Sequence, residues 1–401
     1  MEKEEKINEL LTRGVEKVYP NQEFLQSKLN SGEKLTFFLG IDPTGPTLHL
    51  GHVIPLLKLR QFQNLGHNII LLIGDFTGMI GDPTDKGATR KRLTRAEVLE
   101  NSKLYKKQAS KIISFSGNNP AKLKYNSKWL GKLSFEDSFD ILAHLTYAQA
   151  IKRDMFQKRI EEGKDLYLHE LLYPMMQGYD SVAMDVDGEV GGNDQTFNML
   201  MGRDLLKKMK SKEKFVISMK LLVDLEGKKM GKTEGNMVSL SESPEEMFGK
   251  IMSWSDGLIL PAFELCTVVP MSEISEIKAS LEGGENPKNA KEKLAETIVT
   301  FFHGSKKAIE TQGAFQATFS QKKMPTEIPE FKATAGMFLV DCLIASKLIS
   351  SKSEWRRLVG EGAISIVAEE GGSEKISDPN LKIVENSVWK IGKHRFLKII
   401  V

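Results

Sequence analysis

Several features that would narrow the possibilities are scarce or missing. Among 401 residues there are two cysteines, Cys266 and Cys342, with no CxxC spacing, which argues against a disulfide framework or a cysteine-based zinc site and fits a reducing cytoplasm. No apolar run approaches the roughly 20 residues that cross a bilayer. The N-terminal MEKEEKINELLTRGVEKVY sets Ile7, Leu10, Leu11, Val15 and Val18 at helical spacing between charges, so an amphipathic helix is expected there rather than a signal peptide. An excess of one charge is absent too: 56 Lys and Arg against 53 Asp and Glu leave +3, too little to announce a nucleic-acid binder. There is no internal repeat and no low-complexity tract.

What is present is enough apolar material for real cores, 40% of the residues. The length exceeds the roughly 250–300 residues that one core sustains, so two or three domains are expected. Local charge says more than the total. Residues 84–111 carry nine basic and three acidic side chains, and residues 203–232 ten and four, a net of +6 in each.

The chain is organised around residues 37–67, FFLGIDPTGPTLHLGHVIPLLKLRQFQNLGH. The pattern predicts a buried strand over 34–39, a Gly/Pro loop over 40–46, and an amphipathic helix with His49, Gly51 and His52 in its first turn. Such a helix start favours a nucleotide phosphate, and Gly51 removes the side chain that would keep a flat ring off the backbone. The apolar NIILLI over 68–73 completes a βαβ unit of a parallel sheet. Next, GDFTGMIGDPTDKGATRKR forms a glycine-punctuated loop at the carboxyl edge of that sheet, where ligands of open α/β folds bind. Its glycines lack the GxGxxG order of dinucleotide binders.

Helices are expected over 93–116 and 134–163, the second an apolar insertion between two halves of the sheet. Tyr173, Gln177 and Asp180 follow at i, i+4, i+7, so three polar side chains share one helix face among Leu171, Leu172, Met175, Met176 and Val182. Polar groups in apolar surroundings need partners, and the pattern suits a polar-lined pocket ahead of a strand-like 181–187. Gly191-Gly192-Asn193-Asp194-Gln195 opens a helix over 195–208, a strand over 215–219 follows, and Gly227-Lys228-Lys229-Met230-Gly231-Lys232-Thr233 is a basic loop. Beyond Ser241 the pattern becomes helical to about residue 322, with a Pro-containing linker after it. Mixed helix and strand close the chain over 334–401, where a helix carrying Lys352, Arg356 and Arg357 suits phosphate contacts.

His49-Leu50-Gly51-His52 within GIDPTGPTLHLGH, together with Lys229-Met230-Gly231-Lys232-Thr233, resembles the HIGH and KMSKS pair of class I aminoacyl-tRNA synthetases. With YPMMQGYDS, VGGNDQ and IGDPTDKGATR, the chain resembles the bacterial tyrosyl-tRNA synthetases from about residue 5 to its end. The resemblance implies an α/β fold: a doubly wound, parallel-sheet, Rossmann-like catalytic domain over 1–233 with a helical insertion at about 115–180 and a dimer interface, a helical anticodon-side domain over 234–325, and a small α+β S4-like RNA-binding domain over 334–401. It further implies activation of tyrosine by ATP, with Mg²⁺ accompanying the nucleotide, transfer to the 3′ end of a tRNA, a homodimer, a cytoplasmic location and no membrane association. A small-molecule nucleotidylyltransferase shares an HxGH turn, but the RNA-binding tail counts against that alternative.

By resemblance, His49 and His52 donate to the transition-state phosphates, helped by Thr44, while Lys86, Arg90, Lys229, Lys232 and Thr233 hold the pyrophosphate. Gly40, Asp42, Gly51, Gly191, Gly192 and Asp194 belong to the ATP site, Asp194 at the ribose. Asp82, Tyr173, Gln177 and Gln195 belong to the substrate's α-ammonium group, and Asp180 to its hydroxyl. The chain departs from the family twice: Phe38 stands where many members have a second hydroxyl partner, Tyr, and Gly231 replaces Ser in the KMSKS-like loop.

Overall fold

The computed structural model describes residues 2–82, 92–223, 237–317, 328–346, 348–349, 351–367, 373–376, 378–392 and 395–401. The chain divides into two compact units, Met1–Ala308 and Ile309–Val401.

The first unit is built on a sheet of β1 (Val15–Tyr19), β2 (Thr36–Ile41), β3 (Asn68–Ile73), β4 (Lys122–Tyr125), β5 (Gly188–Gly192) and β6 (Phe215–Met219). Their order is β1-β6-β5-β2-β3-β4, parallel except for β1, which runs antiparallel to β6. From β2 the chain steps outwards to β3 and β4; from β5 it steps the other way to β6. The adjacent pair β2 and β5 is therefore the switch point of a doubly wound sheet, and the crevice beyond their carboxyl ends is its natural ligand site. Burial on both faces explains the near-continuous apolar runs of β2 and β3. Phe37 stacks on Phe62 of helix Leu50–Asn64 at 3.8 Å between ring centroids, whereas Phe38 packs in the other layer with Ile70, Leu72, Met184 and Val186. A side chain on Gly188, opposite Phe37, would come within 2.4 Å of its ring.

Several elements differ from expectation. The N-terminal helix, Glu2–Thr12, stops early because Gly14 turns the chain at φ +65°, and Val15 and Val18 belong to strand β1. The helices expected over 93–116 and 134–163 are broken into short pieces, among them Arg95–Ser102, Tyr105–Ala109, Phe135–Leu142 and Asp154–Glu161, with strand β4 between them. Helix Leu168–Met184 continues through the expected strand over 181–187. Asp185, left-handed at φ 52°, ends it, and the strand proper is β5.

Helices Pro244–Met252, Ile259–Cys266, Met271–Glu282 and Pro287–His303 complete the first unit. The first of these starts at a Ser243–Glu246 capping box, as S-x-x-E predicts. The linker expected after residue 322 falls largely outside the described residues. In the second unit, β7 (Glu330–Lys332), β8 (Ile364–Val367), β9 (Ser373–Lys375), β10 (Ser387–Ile391) and β11 (Arg395–Ile400) form a sheet of order β7-β11-β10-β8-β9. Its core joins Leu339 and Leu343 of helix Leu339–Ala345 and Trp355 of helix Lys352–Gly360 to Ile364, Trp389 and Leu397. Among the described residues no helix is long and apolar enough to cross a membrane.

Candidate functional site

Helix Leu50–Asn64 rises from the carboxyl end of β2, and two histidines build its start. His49 is the N-cap. Its Nδ1 accepts the Gly51 N–H at 3.1 Å, and Nδ1 of His52 accepts the His49 N–H at 3.2 Å. A ring nitrogen that accepts carries no proton, so each neutral imidazole holds its hydrogen on Nε2. Both rings, 4.0 Å apart between centroids, thereby carry a donor at the positive end of a helix, the arrangement an oxyanion favours. A Cβ on Gly51 would stand 2.9 Å from His49 Cε1, so the flat ring that this glycine admits is that of His49 itself. Residues 238–240 lie along the same start: Leu50 N–H donates to Val238 O at 3.0 Å and Leu240 N–H to Leu48 O at 2.9 Å. Lys229, Lys232 and Thr233 of the basic loop, and Lys86 and Arg90, lie outside the described residues.

Across the switch point, helix Leu168–Met184 presents Tyr173, Gln177 and Asp180 on one face. Asp180 is buried; Trp129 Nε1–H donates to one of its oxygens at 2.7 Å and Asn126 Nδ2–H to the other at 3.2 Å. Burial pushes its carboxyl well above the usual carboxylate range, against the pull of those two donors, with Glu189 and Asp42 adding to the rise. Asn126 also donates to Thr77 Oγ1 at 3.0 Å, Thr77 donates to Asp42 Oδ1 at 2.6 Å, and Tyr173 OH donates to Asp42 Oδ2 at 2.8 Å. One chain of hydrogen bonds thus joins Tyr173 to Asp180. Asp42, expected with the nucleotide, is bound into this chain, and only glycine at position 74 permits it, since a Cβ there would stand 2.0 Å from Asp42 Oδ1. Burial first, then Asp42, raises the Tyr173 phenol well above its ordinary value.

Asp82 and Gln195 are brought together as expected of neighbours, Gln195 Nε2–H donating to Asp82 Oδ2 at 2.8 Å. A residue without a motif of its own, Arg153, grips Asp82 with both guanidinium nitrogens at 2.8 and 3.0 Å, the fork geometry of a strong ion pair. Gln177 Nε2–H donates to Glu189 Oε1 at 3.3 Å, and Glu189 Oε2 pairs with Lys214 Nζ at 2.5 Å. Asn126, Trp129, Arg153, Glu189 and Lys214 all escape sequence reasoning. Arg153 and Asp82 are 71 positions apart. The one available signal was a charged residue inside or beside each of two apolar strands, Glu189 in β5 and Lys214 just before β6.

Asp194 is exposed in the short turn Asn193–Gln195 at the end of β5. Gly40 is exposed near the end of β2, and the Thr44 N–H closes a tight turn onto Asp42 O at 2.8 Å. The space beside Gly191 is filled by Met199 and that beside Gly192 by Asp194, so both glycines serve close packing of strand and following helix. Lys352, Arg356 and Arg357 lie on the exposed face of their helix, opposite Trp355, Leu358 and Val359. Lys352 stands 3.4 Å from Asp341 and Arg357 pairs with Glu361 at 2.9 Å. Among the described residues no group of three or more His, Cys, Asp or Glu is placed to hold a metal ion.

A doubly wound sheet with a histidine-capped helix start on one side of its switch point and a largely buried cluster of carboxylates on the other defines a nucleotide-dependent α/β enzyme of the class I synthetase type. The family described as class I tRNA synthetases (W and Y) matches residues 30–320, and the chain belongs to that family. It is 44% identical to a tyrosine–tRNA ligase of Carboxydothermus hydrogenoformans over 98% of this chain and 97% of the relative. Tyrosine–tRNA ligase 2 of Vibrio vulnificus is 43% identical over the same shares. Among solved structures, a C-terminally truncated mitochondrial tyrosyl-tRNA synthetase of Coccidioides posadasii superposes with a TM-score of 0.63 at 25% identity, covering 77% of this chain and 91% of that one. The tyrosyl-tRNA synthetase of Archaeoglobus fulgidus, complexed with L-tyrosine, shares the fold at a TM-score of 0.60 and 23% identity, covering 78% of this chain and all of the other.

Proposed function

We propose that the chain is a tyrosine–tRNA ligase: it joins tyrosine to the α-phosphate of ATP, expels pyrophosphate, and passes the tyrosyl group to the 3′ end of a tRNA. The observation behind it is the buried Asp180, held by Trp129 and Asn126 across the switch point from the His49–His52 helix start, together with full-length relatives named for this activity.

The attacking tyrosine carboxylate is already an anion, so activation needs no general base. Positioning and stabilisation of charge on the phosphate oxygens carry the step. His49 and His52 donate from Nε2 to those oxygens, with Thr44 beside them and Gly40, Gly51, Gly191 and Gly192 lining the ATP site. Asp194 takes the ribose. Lys86, Arg90, Lys229, Lys232 and Thr233 hold the departing pyrophosphate, and Mg²⁺ enters with ATP. Asp82, Tyr173, Gln177 and Gln195, now with Asp42, form the acceptor-rich end for the α-ammonium group, while Asp180 accepts from the phenol. A terminal ribose hydroxyl then attacks the carbonyl of the mixed anhydride and AMP leaves.

Three further parts belong to this reading. Residues 334–401 act as an S4-like tRNA-binding domain and 234–325 as a helical anticodon-side domain after the catalytic 1–233. The exposed apolar side chains Phe135, Phe139, Tyr147 and Leu168 support a homodimer through the insertion. The location is cytoplasmic. ATP–pyrophosphate exchange tested with each amino acid decides the activity: tyrosine alone is expected to stimulate it, and exchange driven by another amino acid, or by none, overturns the assignment. For the tRNA part, replacing Lys352, Arg356 and Arg357 by Ala is expected to weaken tRNA charging and its salt dependence while leaving exchange unchanged; equal charging would remove them from the tRNA surface.

A further inference from the structure

Behind the pocket lies a charged pair with no place in the chemistry above. Lys214 is wholly buried and Glu189 is 2% exposed. Besides pairing with Glu189, the Lys214 ammonium donates to Ser181 Oγ at 2.8 Å and sits 5.7 Å from the centre of the Phe38 ring. Gly202 leaves the space it occupies, since a Cβ there would be 2.7 Å from Lys214 Nζ. Burial lowers the Lys214 pKa from the ordinary ammonium value, and Glu189 and Asp180 pull it back up. Burying such a pair is expensive, which calls for a reason beyond stability.

The reason lies at Gln177. A carboxylate oxygen can only accept, so the edge of the Gln177 amide that faces Glu189 must be its NH₂. That fixes the other edge as carbonyl, and Gln177 Oε1 is buried with no hydrogen-bond partner among the described residues. An orphaned buried acceptor is destabilising until a donor arrives. Four acidic side chains, Asp42, Asp82, Asp180 and Glu189, outnumber the two cations paired with them, Arg153 and Lys214, so the donor these surroundings favour is a cation. Tyr173, one helical turn before Gln177, feels three of these carboxylates, Asp42, Asp82 and Asp180.

We infer that Glu189 and Lys214 are a positioning pair: Glu189 turns the Gln177 carbonyl towards the α-ammonium of the amino acid, and Lys214 holds Glu189 in place. Neither touches the substrate. The inference rests on reading the pocket as the amino-acid site, and its test keeps the two apart. Wild-type enzyme is assayed by tyrosine-dependent ATP–pyrophosphate exchange, inhibited in turn by tyramine, which keeps the ammonium and lacks the carboxylate, and by 3-(4-hydroxyphenyl)propionate, which lacks the ammonium. Absence of tyrosine-dependent exchange in the wild type overturns the pocket reading itself.

The same assays are then run on Glu189→Gln, whose amide no longer dictates the Gln177 orientation, and on the double variant Glu189→Gln with Lys214→Met, which leaves no buried charge unpaired should the single variant fold poorly. In both, the KM for tyrosine and the inhibition constant of tyramine are expected to rise roughly tenfold to a hundredfold, the worth of a charge-assisted hydrogen bond. The KM for ATP and the inhibition constant of the propionate stay within about twofold. Equal weakening of both analogues, or no change in either, overturns the positioning role in favour of a purely structural pair.

Discussion

The two sides of the switch point solve opposite problems. On the side proposed for the nucleotide, donors are gathered at a half-buried turn, and a stretch of four residues, His49 to His52, makes most of the geometry by bonding to its own backbone. On the amino-acid side, acceptors are gathered in a buried space, and almost every one is held by a residue far away in sequence: Asp180 by Trp129 at 51 positions, Asp82 by Arg153 at 71, Asp42 by Tyr173 at 131. Donors at a helix start are already favoured by the helix dipole and remain solvated. Buried carboxylates repel one another and lose water, so each demands its own partner. One side can be encoded locally, whereas the other requires the whole fold.

Breaking the buried side should have the largest effect. Asp180→Ala removes the acceptor proposed for the substrate phenol and takes away the partner of Trp129 Nε1–H and of one Asn126 N–H, and tyrosine-dependent exchange is expected to lose on the order of 10³-fold in kcat/KM. Retention of comparable exchange would show that the phenol lies elsewhere. On the nucleotide side, His52→Ala removes one of the donors proposed for the transition state and the cap on the His49 N–H. A fall in kcat of roughly 10²-fold is expected with little change in the KM for tyrosine, and a change in tyrosine KM instead would place His52 on the wrong side.

A smaller effect separates structure from recognition. Arg153→Met leaves Asp82 without its ion-pair partner and should destabilise the protein by about 3 kcal/mol. A bound ammonium group partly replaces that partner, so saturating tyrosine should raise the melting temperature more in the variant than in the wild type. Equal shifts would show that the ammonium does not meet Asp82.

The last effect, read as a slope against pH rather than as a loss of activity, concerns the buried back of the histidine helix. Lys58, in helix Leu50–Asn64, donates to Leu10 O at 2.5 Å, and burial lowers its pKa to about 7. The unfolded chain then binds more protons than the folded one between about pH 7 and the ordinary lysine value near 10.4. Stability therefore gains from Lys58 as pH rises through that window and loses as pH falls towards 7. Lys58→Met should flatten this rise in thermal-melting curves taken across the window, and an unchanged slope would assign the pH dependence to other groups.

The same contrast explains what could be read in advance. Strands Asn68–Ile73 and Phe215–Met219 match expectation to the residue, because apolar runs between turn signals are local, and the His49 cap is local too. Strand β4 has the sequence KLKY, with too little apolar character to announce itself, and it is a strand because β3 offers an edge to pair with. Strand β1 hid because the valines at 15 and 18 fit helical spacing equally well until Gly14 reverses the chain. Tyr173, Gln177 and Asp180 were visible as a face, but their partners were not, since nothing in NSKW or KRDMF marks Asn126, Trp129 or Arg153 as neighbours of distant carboxylates. The same holds for Asp42, whose place beside Tyr173 comes from the adjacency of β2 and helix Leu168–Met184 rather than from the GIDPT loop itself.

The most direct test is the ratio of kcat/KM for tyrosine to that for phenylalanine in ATP–pyrophosphate exchange. With a buried acceptor at Asp180 and no hydroxyl at Phe38, phenylalanine leaves that acceptor short of a donor, and the ratio should reach the order of 10⁴; tyrosyl enzymes are the known example of this effect, and the figure is theirs rather than a result of this structure. A ratio near 10² or below, the discrimination a merely apolar pocket achieves, would contradict the assignment of Asp180 to the phenol and with it the division of the site into a donor side and an acceptor side.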